Sequence, residues 1–232
     1  MIPRVILHNA VSLDGRIEGF PVDLQQYYGL AASFGEDATL AGADTFLSAE
    51  NEAPPEDESA FLPPQIDGED RRPILVVPDS RGRIRTWHYL RSLPYWRDFV
   101  ALCSRRTAPE YLQYLQKRHI HCIIAGEDHV DLRAALERLA SDYGVRTVRV
   151  DAGGTLNGQL LRRGLVAEVS VLVCPYLVGG SSPGSIFREA EEVARLLEQP
   201  DPIGQGEAIA LRLMLVERLP GDVVRLHYEV VR

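Results

Sequence analysis

Short apolar runs alternate with amphipathic stretches along most of this chain, a pattern that predicts strands separated by helices. Residues 5–11 read as a mostly apolar opening strand, closed by Ser12–Leu13–Asp14–Gly15, and residues 22–34 as a helix. A second strand at 38–42 leads into a helical turn at Asp44–Thr45. Strands follow at 73–77, 99–103 and 121–125, with a helix over 109–118. Leu132, Ala135, Leu136 and Leu139 fall at i, i+3, i+4 and i+7, the apolar face of another helix. A strand at 145–150 runs through two glycines into a helix over 155–163, where Leu156, Leu160 and Leu161 share a face and Gly164 supplies the stop. Residues 169–174 are too apolar on both faces for an edge strand. Two alternating strands, 208–218 and 223–231, meet at Pro220–Gly221–Asp222. Leu211, Leu213 and Leu215 point one way, as do Leu226, Tyr228 and Val230 in the second strand.

This order implies crossover units and a mainly parallel sheet with an antiparallel C-terminal hairpin. Nothing in the middle resembles a linker, so residues 1–232 are expected to form one domain. Ligands of such sheets bind beyond the carboxyl ends of the strands. Ser12–Gly15, Gly42–Thr45, Pro78–Ser80, Gly126 and Asp151–Thr155 all take that position, which makes them one candidate site.

The formal charge of −8 is concentrated in one segment. Residues 50–70 carry eight acids and no Lys or Arg; removing those eight from 33 leaves 25, against 25 basic residues. With Pro54, Pro55, Pro63 and Pro64, the stretch at about 50–72 is expected to be a solvated, mobile insertion. No basic run interleaves with aromatics, which disfavours nucleic acid as a partner. Lys117 is the single lysine, so Schiff-base chemistry and a P-loop are excluded. No apolar run approaches a membrane span, and Met1–Ile2–Pro3–Arg4 shows no signal-peptide pattern. Cys103, Cys122 and Cys174 are scattered on strands and suit a reducing cytoplasm as buried small hydrophobes. The six histidines have no metal-ligand spacing, so no metal is expected.

The richest chemistry lies at Asp151–Ala152–Gly153–Gly154–Thr155–Leu156–Asn157–Gly158–Gln159. A glycine pair lets a ligand approach the main chain, and a helix start offers unpaired N–H groups to a phosphate. A carboxylate, Asp151, sits at the lip. The first strand is not followed by Gly-x-Gly-x-x-Gly, and no Gly-x-Ser-x-Gly occurs, which sets aside an ordinary dinucleotide fold and an α/β-hydrolase.

Ser12–Leu13–Asp14–Gly15–Arg16, Gly42 with Thr45, Asp79–Ser80, the 151–156 block, Gly164–Leu165–Val166 and Pro175–Tyr176–Leu177–Val178–Gly179–Gly180 together resemble the reductase domain of riboflavin biosynthesis. That family belongs to the dihydrofolate-reductase-like superfamily. The resemblance runs in order over nearly the whole chain. It implies a three-layer α/β sandwich, NADPH as hydride donor, and reduction of a ribosylaminopyrimidine 5′-phosphate to the ribitylamino form. By family position Gly153, Gly154, Thr155, Leu156, Asn157, Gly158 and Gln159 would line the cofactor pyrophosphate, with Thr45 and Ser80 touching it from neighbouring strand ends. Asp151 stands where the family usually has a substrate-contacting Glu; Asp14 is a second catalytic candidate or a brace for its loop. Arg105 and Arg106 are candidates for the adenosine 2′-phosphate or plain surface charge. Homodimers are expected from the family. The zinc pattern of its deaminase partner domain does not occur in these residues. Two family features are replaced: Ala49 stands where an Asp is usual, and the acidic segment follows where a phosphate-binding Arg is usual. A reductase with the same cofactor but another carbonyl, imine or pterin-like substrate, and a nucleotide-binding protein without turnover, are the alternatives.

Overall fold

Strand β1 (Arg4–Ser12) is buried along almost its whole length, which is why its apolar run does not alternate. It pairs in parallel with β7 (Glu168–Cys174), from Ile6 opposite Glu168 to Ser12 opposite Cys174. The computed structural model describes residues 1–48, 53–65, 67–180, 184–187 and 208–231. Ala49, and with it much of the central acidic segment's start, lies outside them.

The chain divides into two compact units: Met1–Pro3 with Glu36–Val148, and Arg4–Gly35 with Arg149–Arg232. In the first unit, β2 (Ala38–Ala41), β3 (Ile74–Pro78), β4 (Asp98–Cys103) and β5 (His121–Ile124) pair in parallel, in the order β5-β4-β3-β2. Helices α2 (Ala43–Ser48), α3 (Trp87–Ser92), α4 (Pro109–Lys117) and α5 (Leu132–Tyr143) connect them. Their core gathers Leu75, Val77, Ile84, Trp87, Leu90, Phe99, Ala101, Tyr111 and Leu115. Helix α3 has too few residues to show a period in the sequence; Trp87 and Leu90, both buried, hold it.

β6 (Thr147–Asp151) starts in the first unit and ends in the second. The second unit orders its strands β1-β7-β9-β8, the last two, β8 (Leu211–Arg218) and β9 (Val224–Val230), antiparallel. Neighbouring residues of a strand face opposite ways. His8 accordingly meets Tyr27 of α1 (Leu24–Ala32), at 4.5 Å between ring centroids, while Asn9 bonds to Asn157 of α6 (Gly154–Arg162). Helix, sheet and helix thus stack as expected, and the mixed sheet, mainly parallel with an antiparallel C-terminal pair, matches the sequence reading.

One reading is corrected. Leu213 lies opposite Tyr228, but Leu215 lies opposite His227, with Met214 as the extra residue of a bulge between them. Tyr228 and His227 face opposite ways, so Leu215 does not share the face of Leu211 and Leu213.

Residues 53–62, read as solvated, are tied to the first unit. Glu56 takes a two-pronged ion pair from Arg118, at 2.6 and 2.5 Å. His88 Nε2 lies 2.8 Å from the Pro54 carbonyl, and Arg91 donates to the carbonyls of Ala60 and Leu62. Only a charge count was legible here; the partners stand far along the chain.

Candidate active site

Asp151 ends β6, and two residues later Gly153 stands at the N-cap of α6. Among the described residues no side chain caps that helix start. Gly153 has φ −76°, open to any residue, and among the described residues a Cβ there would meet only Ile17 Cδ1, at 3.8 Å. The glycine is therefore not required by the backbone, and its bare, exposed face leaves room for a group to approach. Gly164, at φ +61°, follows the last turn as the sequence suggested, with its N–H on the Leu161 carbonyl.

The predicted cofactor residues differ in how they are placed. Gly153 and Thr155 are exposed; Leu156, Gly158 and Gln159 are half-buried. Gly154 and Asn157 are buried, and Asn157 is turned inward. Its Nδ2 donates to Asn9 Oδ1 at 2.9 Å and to the carbonyls of Ala152 and Ile186. Asn9 Nδ2 donates to the Ala152 carbonyl as well, at 3.0 Å. This amide pair fixes the turn from beneath, so Asn157 shapes the cradle through its side chain. The remaining candidates, Thr45 and Ser80, belong to the first unit. Thr45 is exposed on the first turn of α2, and Ser80 follows β3, its carbonyl accepting from Thr107 Oγ1 at 2.8 Å. Asp79 beside it is sequestered, accepting from the amides of Arg83 and Ile84 and from the Tyr111 hydroxyl.

The two candidate carboxylates are not alike. Asp14 accepts from Ser12 Oγ at 2.6 Å and from the amides of Gly179 and Val178, at 2.8 and 3.1 Å. Those donors, the Ser12 hydroxyl foremost, hold its carboxyl well below the usual range. It staples the loop after β1 to the Val178–Gly179 segment, the bracing role. Asp151 keeps a side chain 31% exposed. Arg149 Nη1 reaches its Oδ2 at 2.9 Å, and the Tyr27 hydroxyl lies 3.2 Å from its Oδ1.

Behind Asp151 is a buried polar layer that the sequence reading missed. The Tyr27 hydroxyl donates to the His8 carbonyl at 2.6 Å, and His8 Nε2 lies 3.3 Å from the Tyr27 carbonyl. A carbonyl can only accept, so Nε2 carries the proton and Nδ1 accepts from Ser170 Oγ at 3.1 Å. Burial first, then the nearby Arg149 charge, pushes His8 down to about 3. Burial likewise raises Tyr27 well above its ordinary value. The one available signal was titratable side chains placed inside strands: His8 in β1 and Arg149 in β6.

Arg105 and Arg106 are exposed and paired with Glu127 and Asp128, at 3.1 and 2.7 Å. Among the described residues no cluster of three or more His, Cys, Asp or Glu is placed to hold a metal, and no helix is long and apolar enough to cross a membrane.

A mainly parallel sheet with strand-end loops, a glycine turn opening onto a helix and a carboxylate beside it define an α/β protein with a strand-end ligand site. The RibD C-terminal domain model matches residues 3–224, so the chain belongs to that family. It is similar to the 2,5-diamino-6-ribosylamino-4(3H)-pyrimidinone 5′-phosphate reductase of Archaeoglobus fulgidus, 31% identical over 223 residues, 91% of this chain and 99% of the relative. The reductase of the same name from Methanothermobacter thermautotrophicus is 32% identical over 189 residues, 78% of this chain and 81% of the relative. Among solved structures, a pyrimidine reductase-like protein of Corynebacterium diphtheriae shares the fold, with TM-score 0.70 and 16% identity over 99% of this chain and 92% of that one. These relatives make the chain an oxidoreductase of the riboflavin-biosynthesis group.

Proposed function

We propose that this chain reduces a ribosylaminopyrimidine 5′-phosphate to its ribitylamino form with NADPH. The observation that carries the reading is the uncapped start of α6, with the open face of Gly153 and the part-exposed Asp151 next to it. Bare amides and a helix dipole suit a pyrophosphate, and the donor set fits the dinucleotide. The identity to reductases named for this substrate supports the same conclusion.

When bound, NADPH would supply the hydride for the sugar carbon that carries the amine. The amides of Gly154, Thr155 and Leu156 would hold the dinucleotide diphosphate. Asn9 and Asn157, bonded to each other and to the Ala152 carbonyl, keep those amides in place. Asp151 presents its unshared lone pairs to hydroxyl or N–H donors of the ring-opened sugar, orienting the carbon to be reduced. A second substrate type is favoured by one observation, the acidic segment at about 50–72 where the family usually has a phosphate-binding Arg. Following loss of reduced-nicotinamide absorbance on adding the pyrimidinone phosphate separates the two. Turnover supports the first; NADPH binding without turnover supports the second. Absence of binding by NADPH and NADH alike leaves a chain without redox activity. The homodimer and a reducing, cytoplasmic setting belong to the same proposal.

A further inference from the structure

Arg149 is an unusual residue for its place. It lies in the middle of β6 between Val148 and Val150, and its side chain is only 5% exposed. A buried guanidinium is costly to desolvate, and an apolar residue of similar size commonly serves a fold equally well. Residues two apart on a strand share a face, so Arg149 and Asp151 both point toward α1. There Arg149 Nη1 donates to Asp151 Oδ2 at 2.9 Å, and its guanidinium lies 5.8 Å from the centre of the Tyr28 ring. Asp151 Oδ1 faces the Tyr27 hydroxyl at 3.2 Å. That hydroxyl has one proton, and the His8 carbonyl, an obligate acceptor at the shorter 2.6 Å, takes most of it. The carboxylate is thus held firmly at one oxygen and loosely at the other. Each oxygen keeps a lone pair for a ligand.

We infer that Arg149 and Tyr27 are positioning residues that act through Asp151, fixing the direction in which its carboxylate meets the substrate. This rests on the reductase reading above. Neither residue touches the substrate. Arg149 sets the plane of the carboxylate through a charge-assisted bond, and Tyr27 ties that plane to the backbone of β1 through His8. The sequence holds no sign of the Tyr27 contact, since the two residues stand 124 positions apart.

The test is a double-mutant cycle on the full chain, with kcat and KM measured for the pyrimidinone phosphate and for NADPH. Arg149→Met should lower kcat/KM for the phosphate substrate roughly 10- to 100-fold, as misplacement of a reacting group does, while KM for NADPH stays within about twofold. Arg149→Lys should recover part of the loss. Tyr27→Phe, which removes no charge and little volume, should give a smaller loss of the same kind. In an Asp151→Asn background, Arg149→Met should change kcat/KM by no more than about twofold, because the group it acts through is already gone. Equal losses in both backgrounds, or a parallel rise in KM for NADPH, would mean a purely structural role and overturn the inference. Wild-type chain that binds NADPH yet leaves the phosphate unreduced overturns the substrate reading and this inference together. Active wild type with additive variants overturns this inference alone.

Discussion

His8 and Gly153 show how much one position carries here, and in opposite senses. His8 is neutral and buried, with a folded-state value near 3 against 6.5 in the unfolded chain. Between those values the unfolded chain binds the extra proton, so stability rises with pH across the window and is lost as the medium is acidified. The slope from this residue approaches about 1.4 kcal/mol per pH unit. Urea unfolding at a series of pH values between 7 and about 4 should display it. His8→Gln should be less stable at neutral pH yet flatter over that range; an unchanged slope would assign the dependence to other groups. Gly153 bears little on the fold, since its φ is ordinary and a Cβ meets Ile17 Cδ1 at an unstrained 3.8 Å. Gly153→Val should therefore keep the native circular dichroism while weakening NADPH binding about tenfold, by crowding the approach to the amides. Fluorescence titration reads this directly, and intact affinity would reduce the turn to a structural feature.

Among the elements, strands announced themselves and their partners did not. Strands β1, β2, β3 and β4 are visible as apolar runs because burial on both faces leaves no polar alternation to confuse them, whereas β8 and β9 show themselves by alternation. Helix α3 was invisible because Trp87–Ser92 is less than two turns, and its stability comes from Trp87 and Leu90 in the core. The regular alternation read into β8 failed at Met214, because a bulge changes pairing without leaving a mark in hydropathy. In the same way Asp151 and the glycine turn were legible as local motifs. The layer of Tyr27, His8 and Ser170 was not, as it is assembled across the sheet. The 53–62 segment follows the same logic, since its acid, Glu56, meets its base, Arg118, 62 positions away. Arg118 is also stacked on Tyr114, at 3.6 Å, and near Phe61, at 4.9 Å. Arg118→Met should cost about 2 kcal/mol, the usual scale for bonds to a charged partner. It should also speed proteolytic cleavage within 53–62. Cleavage at the wild-type rate would mean that the ion pair does not anchor the segment.

For the molecule as a whole, the decisive feature is an inversion in the C-terminal strands. Pairing places Val171, Val173, Val224, Leu226, Tyr228, Val230, Leu211, Leu213 and Val216 on one face. Ser170, Arg225, His227 and Glu168 take the other, and these polar residues are the buried ones. Glu168 accepts from Arg4 at 2.6 Å and pairs with His227 at 2.8 Å, while Arg225 lies over Phe34 with Glu217 at 3.7 Å. On the apolar face Leu213 is 52% and Val216 56% exposed. A contiguous apolar sheet face is a standing invitation to association, and a second copy offers a self-complementary surface. A Leu226→Glu variant places a charge at the centre of the apolar face while leaving the inward Glu168–His227 pair untouched. Sedimentation at micromolar concentration should show wild type as a dimer and this variant as a monomer with native circular dichroism. Wild type that sediments as a monomer would reject a second copy as the occupant of the face.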